Sequence, residues 1–190
     1  MEKNKLMKFK SFTMMLITIM IIYISNVNAD DTPIHFSNIH ATNNWSVYVG
    51  TVRINATLAV DHADEIAAFV MGSDGSEIMV GACVYGDNNP GYFYLNIYSD
   101  DISTKNVKDG AQENDPLFFK IWNKSQNLEY VVHNNHIRFL PEEGLVLPDQ
   151  LRYCVNNTFG LIQLSVIDIV QDGVTDLKDV IKLMKVLSSQ

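Results

Sequence analysis

The 190-residue chain lacks the motifs that mark the commonest catalytic chemistries. It has no Gly-x-Ser-x-Gly elbow, no zincin His pair, and no glycine-rich phosphate loop leading into a helix. Cationic side chains are scarce: 14 Lys and Arg face 22 Asp and Glu, for a formal charge of −8. A surface of that sign repels nucleic acid and anionic membranes. There is no low-complexity tract, no Pro/Ser-rich linker and no internal repeat, which excludes solenoids and largely disordered chains. Long apolar runs are also missing. The one notable stretch, residues 12–24, has 13 residues, whereas a spanning helix needs about 20.

That short apolar stretch follows Lys3, Lys5, Lys8 and Lys10 and precedes Val27 and Ala29. A basic start, a short apolar centre and small residues at positions −3 and −1 of a cut after Ala29 describe a secretory signal peptide. The expectation is export, with residues 1–29 removed and no membrane span left, to a secreted, extracellular or cell-surface location. Losing four Lys and one Glu takes the formal charge from −8 to −11. Cysteine is limited to Cys83 and Cys154. In an oxidising compartment the two tend to close a disulfide, which would stabilise by about 4 kcal/mol in the chain-entropy model. The alternative is two separate buried thiols acting as small apolar residues.

Residues 45–167 read as strands. Runs rich in Val, Ile, Tyr and Phe fall at 45–50, 52–60, 65–71, 77–85, 92–98, 117–123, 128–133, 136–139, 151–155 and 161–167. Gly, Asn, Asp and Pro clusters separate several of them, and each such cluster has a conformational reason to reverse the chain. Short strands at this spacing predict an all-β, Ig-like or jelly-roll β-sandwich over residues 30–167. A loop and helix follow over residues 168–190.

The order Asp64-Glu65-Ile66-Ala67-Ala68-Phe69, then Val80-Gly81-Ala82, the aromatic run 92–98 and the stretch 115–122 resembles the "GDEI-A-F" β-sandwich modules repeated in large bacterial secreted and surface proteins. Here Ala63 stands where those modules have Gly. The resemblance implies an exported location and adhesive or carbohydrate contact. From the residues alone, Asp64 and Glu65 predict a solvated strand end whose charges deter edge pairing; the alternative is a cation or catalytic pair.

In the run 92–98, a period of two sends Phe93, Leu95 and Ile97 to the core and Tyr92, Tyr94, Asn96 and Tyr98 to the other face. Tyrosines with an amide suit stacking on sugar rings and hydrogen bonding to hydroxyls; a cross-strand aromatic ladder is the alternative. Trp45 and Trp122, set among alternating apolar residues, are expected in the core.

Residues 168–179 have the spacing of an EF-hand-like calcium loop. Asp168, Asp172 and Asp179 occupy positions 1, 5 and 12, Gly173 the turn position 6, Val174 the carbonyl position 7 and Asp176 the water-holding position 9. Leu177, Val180, Ile181, Met184 and Leu187 then mark one helical face. The segment resembles one repeat of a type I dockerin, which implies calcium ligation by Asp168, Asp172, Val174 through its carbonyl, Asp176 and Asp179, and docking to a cohesin. Val170 removes the third-position oxygen, Thr175 replaces an apolar residue, and one repeat is present where dockerins carry two. Calcium affinity is therefore expected at the weak end, about 10⁻⁴–10⁻³ M.

The function expected is a secreted, non-catalytic module contacting a glycan or an extracellular protein, with calcium in its tail. The alternative is a small polysaccharide-active enzyme carrying the same tail. The neighbouring pairs Asp100-Asp101 and Glu142-Glu143 do not suit a glycosidase, because neighbours along a strand face opposite ways. His133 and His136 flank a turn, and His35, His40 and His62 have no supporting pattern. Glycosylation sequons fall at Asn44, Asn55, Asn123 and Asn156.

Overall fold

A computed structural model describes residues 31–105, 107–139, 151–154, 158–174 and 176–188. The proposed signal segment and the Glu142-Glu143 pair lie outside them. The described part of the chain from Asp31 onward belongs to one compact unit, and it is mostly β-sheet.

The first sheet is built on β1 (Trp45–Ile54). β9 (Thr158–Val166) runs parallel to β1 from Val47 to Ile54. β5 (Phe93–Tyr98) and the two-residue β2 (Thr57–Leu58) therefore share the opposite edge of β1, both antiparallel. β8 (Ile137–Phe139) closes the far side against β9. The second sheet is antiparallel throughout, in the order β4 (Glu77–Val84), β3 (Glu65–Met71), β6 (Phe118–Asn123), β7 (Leu128–Val132). The helix α1 (Leu177–Leu187) ends the described chain.

Both sheets contribute to one core. Tyr48, Val52, Ile66, Ala68, Phe93, Leu95, Ile97, Phe119, Ile121, Ile162 and Leu164 are fully buried in it. The alternation read from residues 93–98 is therefore the one the strand adopts.

Four expectations about the strands and the tryptophans need correction. Residues 52–60 are not one strand, because Asn55 and Ala56 take φ of 51° and 67°. Two consecutive positive φ values make a tight hairpin turn, so β1 reverses there into β2. Residues 151–154 join no strand; Arg152 forms a single bridge with Pro116. Trp45 is 46% exposed at the start of β1, where the alternation turns it outward. Trp122 lies on the outer face of the second sheet, in a small cluster with Phe36, Ala67 and Phe69, and His35 stacks on its ring at 3.9 Å.

Asp64 and Glu65 are not solvated. They are 1% and 5% exposed, and backbone N–H groups saturate them. Asp64 accepts from Val60 at 2.8 Å and from Lys124 at 3.0 Å. Glu65 accepts from Ile34, His35 and Phe36 at 2.9–3.1 Å. A carboxylate holding several N–H groups satisfies donors that burial would otherwise orphan. This pair builds turns and fastens an incoming segment to the sheet.

Cys83 and Cys154 are not joined in a disulfide, which corrects the expected bridge. Cys83 on β4 has the Tyr94 backbone beside its sulfur, and burial pushes its thiol up. The Cys154 carbonyl accepts from the Ser46 hydroxyl. Tyr94 pairs with Val49 and Ile97 with Ser46, so the two sites lie three register steps apart, about 10 Å along a strand. A disulfide needs Cα atoms within about 7 Å.

Candidate functional site

On the outer face of the first sheet, strand alternation aligns Trp45, Val47, Val49 and Thr51 of β1 beside Tyr94, Asn96 and Tyr98 of β5. Trp45 sits opposite Tyr98, with ring centroids 6.4 Å apart and planes tilted by 58°. Tyr94 is 37% exposed. From Tyr94 to Tyr98 the row extends about 14 Å, the length of a short oligosaccharide. No described residue of this face on β1, β5 or β9 is acidic. Of the predicted tyrosines, Tyr92 belongs to the turn before β5, bridged to Asn89, and does not join the row. Trp45, which the sequence suggested for the core, does.

The second constellation is the loop 168–179, whose aspartates divide into two pairs. Asp168 and Asp179 are 0% and 2% exposed and turn inward. Asp168 accepts from the N–H groups of Gln171, Asp172 and Gly173 at 2.6, 3.2 and 2.8 Å. Gln171 and Gly173 take φ of 62° and 82° to bring those groups round. Asp179 accepts from Val170 and Asp176, each at 2.9 Å. Burial pushes the Asp179 carboxyl up, but the N–H groups of Asp176, Val170 and Ile169, with Lys178, more than offset that and hold it below the usual carboxylate range.

The other pair faces outward. Lys178 places its ammonium 3.1 Å from Asp172 and 3.4 Å from Asp176. Those contacts raise the lysine above its ordinary range. Asp176 also caps α1 by accepting from the Lys178 N–H at 2.7 Å, in a reciprocal capping box with Asp179. The loop thus has a calcium-loop outline whose inner carboxylates are held by its own backbone and whose outer ones are held by a lysine. Among the described residues, its aspartates do not bring three carboxylate oxygens within 4.8 Å of one another.

Two contacts that sequence reasoning missed anchor this loop. The Asn55 side chain donates to the Asp168 carbonyl at 2.8 Å and accepts from the Asp168 N–H at 2.7 Å. Burial and the neighbouring Asp168 carboxylate push the Tyr130 phenol of β7 up to about 12. Both partners are distant in sequence and carry no motif. α1 itself does not cap the sheets: Leu177, Val180, Ile181, Met184 and Leu187 are 45–69% exposed.

A third cluster also escaped the sequence. Asp31, His62 and Asp87 bring ligand-type atoms within 4.8 Å of one another. His62 Nδ1 lies 2.6 Å from an Asp31 carboxylate oxygen, and the Asp31 N–H donates to Asp87 at 3.0 Å. One imidazole nitrogen and two carboxylates can ligate a zinc-type ion; as found, the imidazole–carboxylate hydrogen bond already satisfies both partners. His133 and His136 come within 6.2 Å between ring centres but gain no third ligand among the described residues. Asp100 accepts from the N–H groups of Asp109 and Gly110, and Asp101 from Ser103, so that pair builds a loop.

No family model and no curated protein matches the chain. Among solved structures, 68% of the chain is similar to 18% of a 9R-lipoxygenase from Cyanothece PCC8801, at 14% identity and a TM-score of 0.33. The chain spans less than a fifth of that protein, and a likeness so loose bears on neither activity nor ligand. Among the described residues no helix is long and apolar enough to cross a membrane.

Proposed function

We propose that this chain is an exported, non-catalytic module that contacts carbohydrate through the outer face of its first sheet. The two sheets are read as a β-sandwich of Ig-like or jelly-roll kind, related to the "GDEI-A-F" modules of bacterial surface proteins. The observation that carries the proposal is the row of Trp45, Tyr94 and Tyr98 beside Asn96 on an outward face. Aromatic faces offer large, rigid contact area at low entropy cost. The absence of acidic side chains among the described residues of that face favours binding over glycoside hydrolysis, which needs two carboxylates across the bound sugar. Trp45→Ala with Tyr94→Ala is expected to weaken glycan-array binding at least tenfold, about 1.4 kcal/mol. Unchanged binding in that pair of variants would sink the proposal.

The tail is read as a degenerate dockerin-like repeat that takes calcium weakly, and the exposed apolar side of α1 as its surface for an extracellular protein. Calcium must displace the Lys178 ammonium from Asp172 and Asp176, which adds to the deficit at Val170. Calorimetric titration should therefore show a weak calcium heat that vanishes in Asp172→Ala and tightens severalfold in Lys178→Gln. It should persist in His62→Ala, which removes the other metal-type cluster. A heat lost only in His62→Ala would reassign the ion to that cluster.

A further inference from the structure

Farther along β1, at its Arg53 end, lies a cavity of about 610 Å³. Arg53 of β1, Arg138 of β8, Gln163 and Ser165 of β9, and His136 line it, with Leu183 of α1 on one side. Register explains the convergence. Arg138 pairs with Gln163 and Arg53 with Ser165, so the arginines stand two strands apart and two residues out of step. That puts their Cα atoms on the order of 12 Å apart, close enough for two long side chains to meet over one ligand.

The charge of this cavity is out of keeping with the chain. The sequence holds three arginines, and two of them are here, in a protein of formal charge −8. Neither forms a salt bridge with any described residue. Arg53 spends one N–H on the Ala56 carbonyl at 2.7 Å, which fixes the direction of its guanidinium and leaves other donors over. His136 has a buried Nδ1 with no hydrogen-bond partner among the described residues. Burial first, then His133 and Arg138, push its imidazole down.

We propose that this cavity binds the carboxylate of an acidic sugar, so that the module takes uronate-containing glycans. This rests on the carbohydrate-contact reading of the same face. A planar guanidinium fork matches a carboxylate bidentately, and Gln163 and Ser165 between the arginines offer partners for ring hydroxyls. The cavity is within the size range of small-ligand sites. Arg53 lies on the same face as Val49, the partner of Tyr94, and about 13 Å farther along β1, a span over which one glycan chain can stack its rings on the tyrosines and place a carboxylate between the arginines.

Titration of the purified protein with oligogalacturonate, beside a neutral cello-oligosaccharide, tests the proposal. Arg138→Gln and Arg53→Gln are each expected to weaken oligogalacturonate binding about tenfold, to flatten its salt dependence, and to leave the neutral glycan's affinity unchanged. Arg138→Gln guards against disturbance of the turn that Arg53 touches. Neutral binding without uronate preference, or uronate binding unaltered in both variants, overturns the acidic-sugar assignment alone. Equal competition by inorganic sulfate also overturns it, by making the cavity a general anion site. Failure to bind either glycan overturns the carbohydrate reading and this proposal together.

Discussion

Glu65→Ala is expected to cost about 3–5 kcal/mol of folding stability, more than any surface change in the molecule. The carboxylate is 5% exposed and holds the backbone N–H groups of Ile34, His35 and Phe36. Its removal leaves those groups two choices. They remain buried without an acceptor, at about 1–3 kcal/mol each, or the segment lifts off into water. Lifting off forfeits the burial of Phe36 against Phe69 and the stacking of His35 on Trp122. The second route limits the loss, and it has its own signature. Amide exchange at residues 34–36 should accelerate sharply and Trp122 fluorescence should shift to the red, while β5 and β9 stay protected. Glu65→Gln keeps one acceptor oxygen and should lose about half as much. A denaturation midpoint within error of the parent in Glu65→Ala would show that the segment contributes little.

Gly50→Ala is expected to be comparably damaging, for steric reasons. A Cβ at that point of β1 would lie inside contact distance of the Ile162 carbonyl oxygen, and 2.8 Å from the Phe93 ring. The carbonyl belongs to the neighbouring strand β9 and cannot rotate away, so β1 and β9 must separate or the ring must leave its place in the core. Overpacking of this kind costs about 1–3 kcal/mol and more when backbone is the obstacle. A fall in Tm of about 10 °C is expected for a domain of this size. Gly75 makes the contrast: a Cβ there meets nothing within 4 Å, and Gly75→Ala should lower Tm by only a few degrees, through its φ of +83°. Equal melting temperatures for the two variants would refute the packing argument.

What could be read from the chain is what local chemistry governs. Alternation in residues 93–98 gave the buried side of β5 correctly, because neighbouring Cβ atoms in a strand must diverge. Gly173 marked the sharp turn and the apolar period from Leu177 to Leu187 marked the helix, because both act within a few residues; the capping role of Asp176 was not read. Pairing between distant segments was not legible. Nothing near Asn55 announces that its amide will clasp Asp168, 113 residues on. Nothing near Arg53 announces Arg138. Trp45 was misjudged because its size and apolar neighbours were weighed above the alternation of β1, which turns it outward. Asp64 and Glu65 were misjudged because charge predicts exposure until an N–H donor set from elsewhere arrives to satisfy it.

The partnership of β1 with β9 has a bearing on how the molecule comes to exist. Val47 is in register with Thr158 and Ile54 with Val166, so the first sheet cannot be completed until residues 158–166 are available to β1, more than a hundred residues later in the chain. A topology in which an early strand waits for a late one is slow to close. The second sheet is under no such constraint, because β3 with β4 and β6 with β7 are antiparallel neighbours in sequence and can pair before β9 arrives.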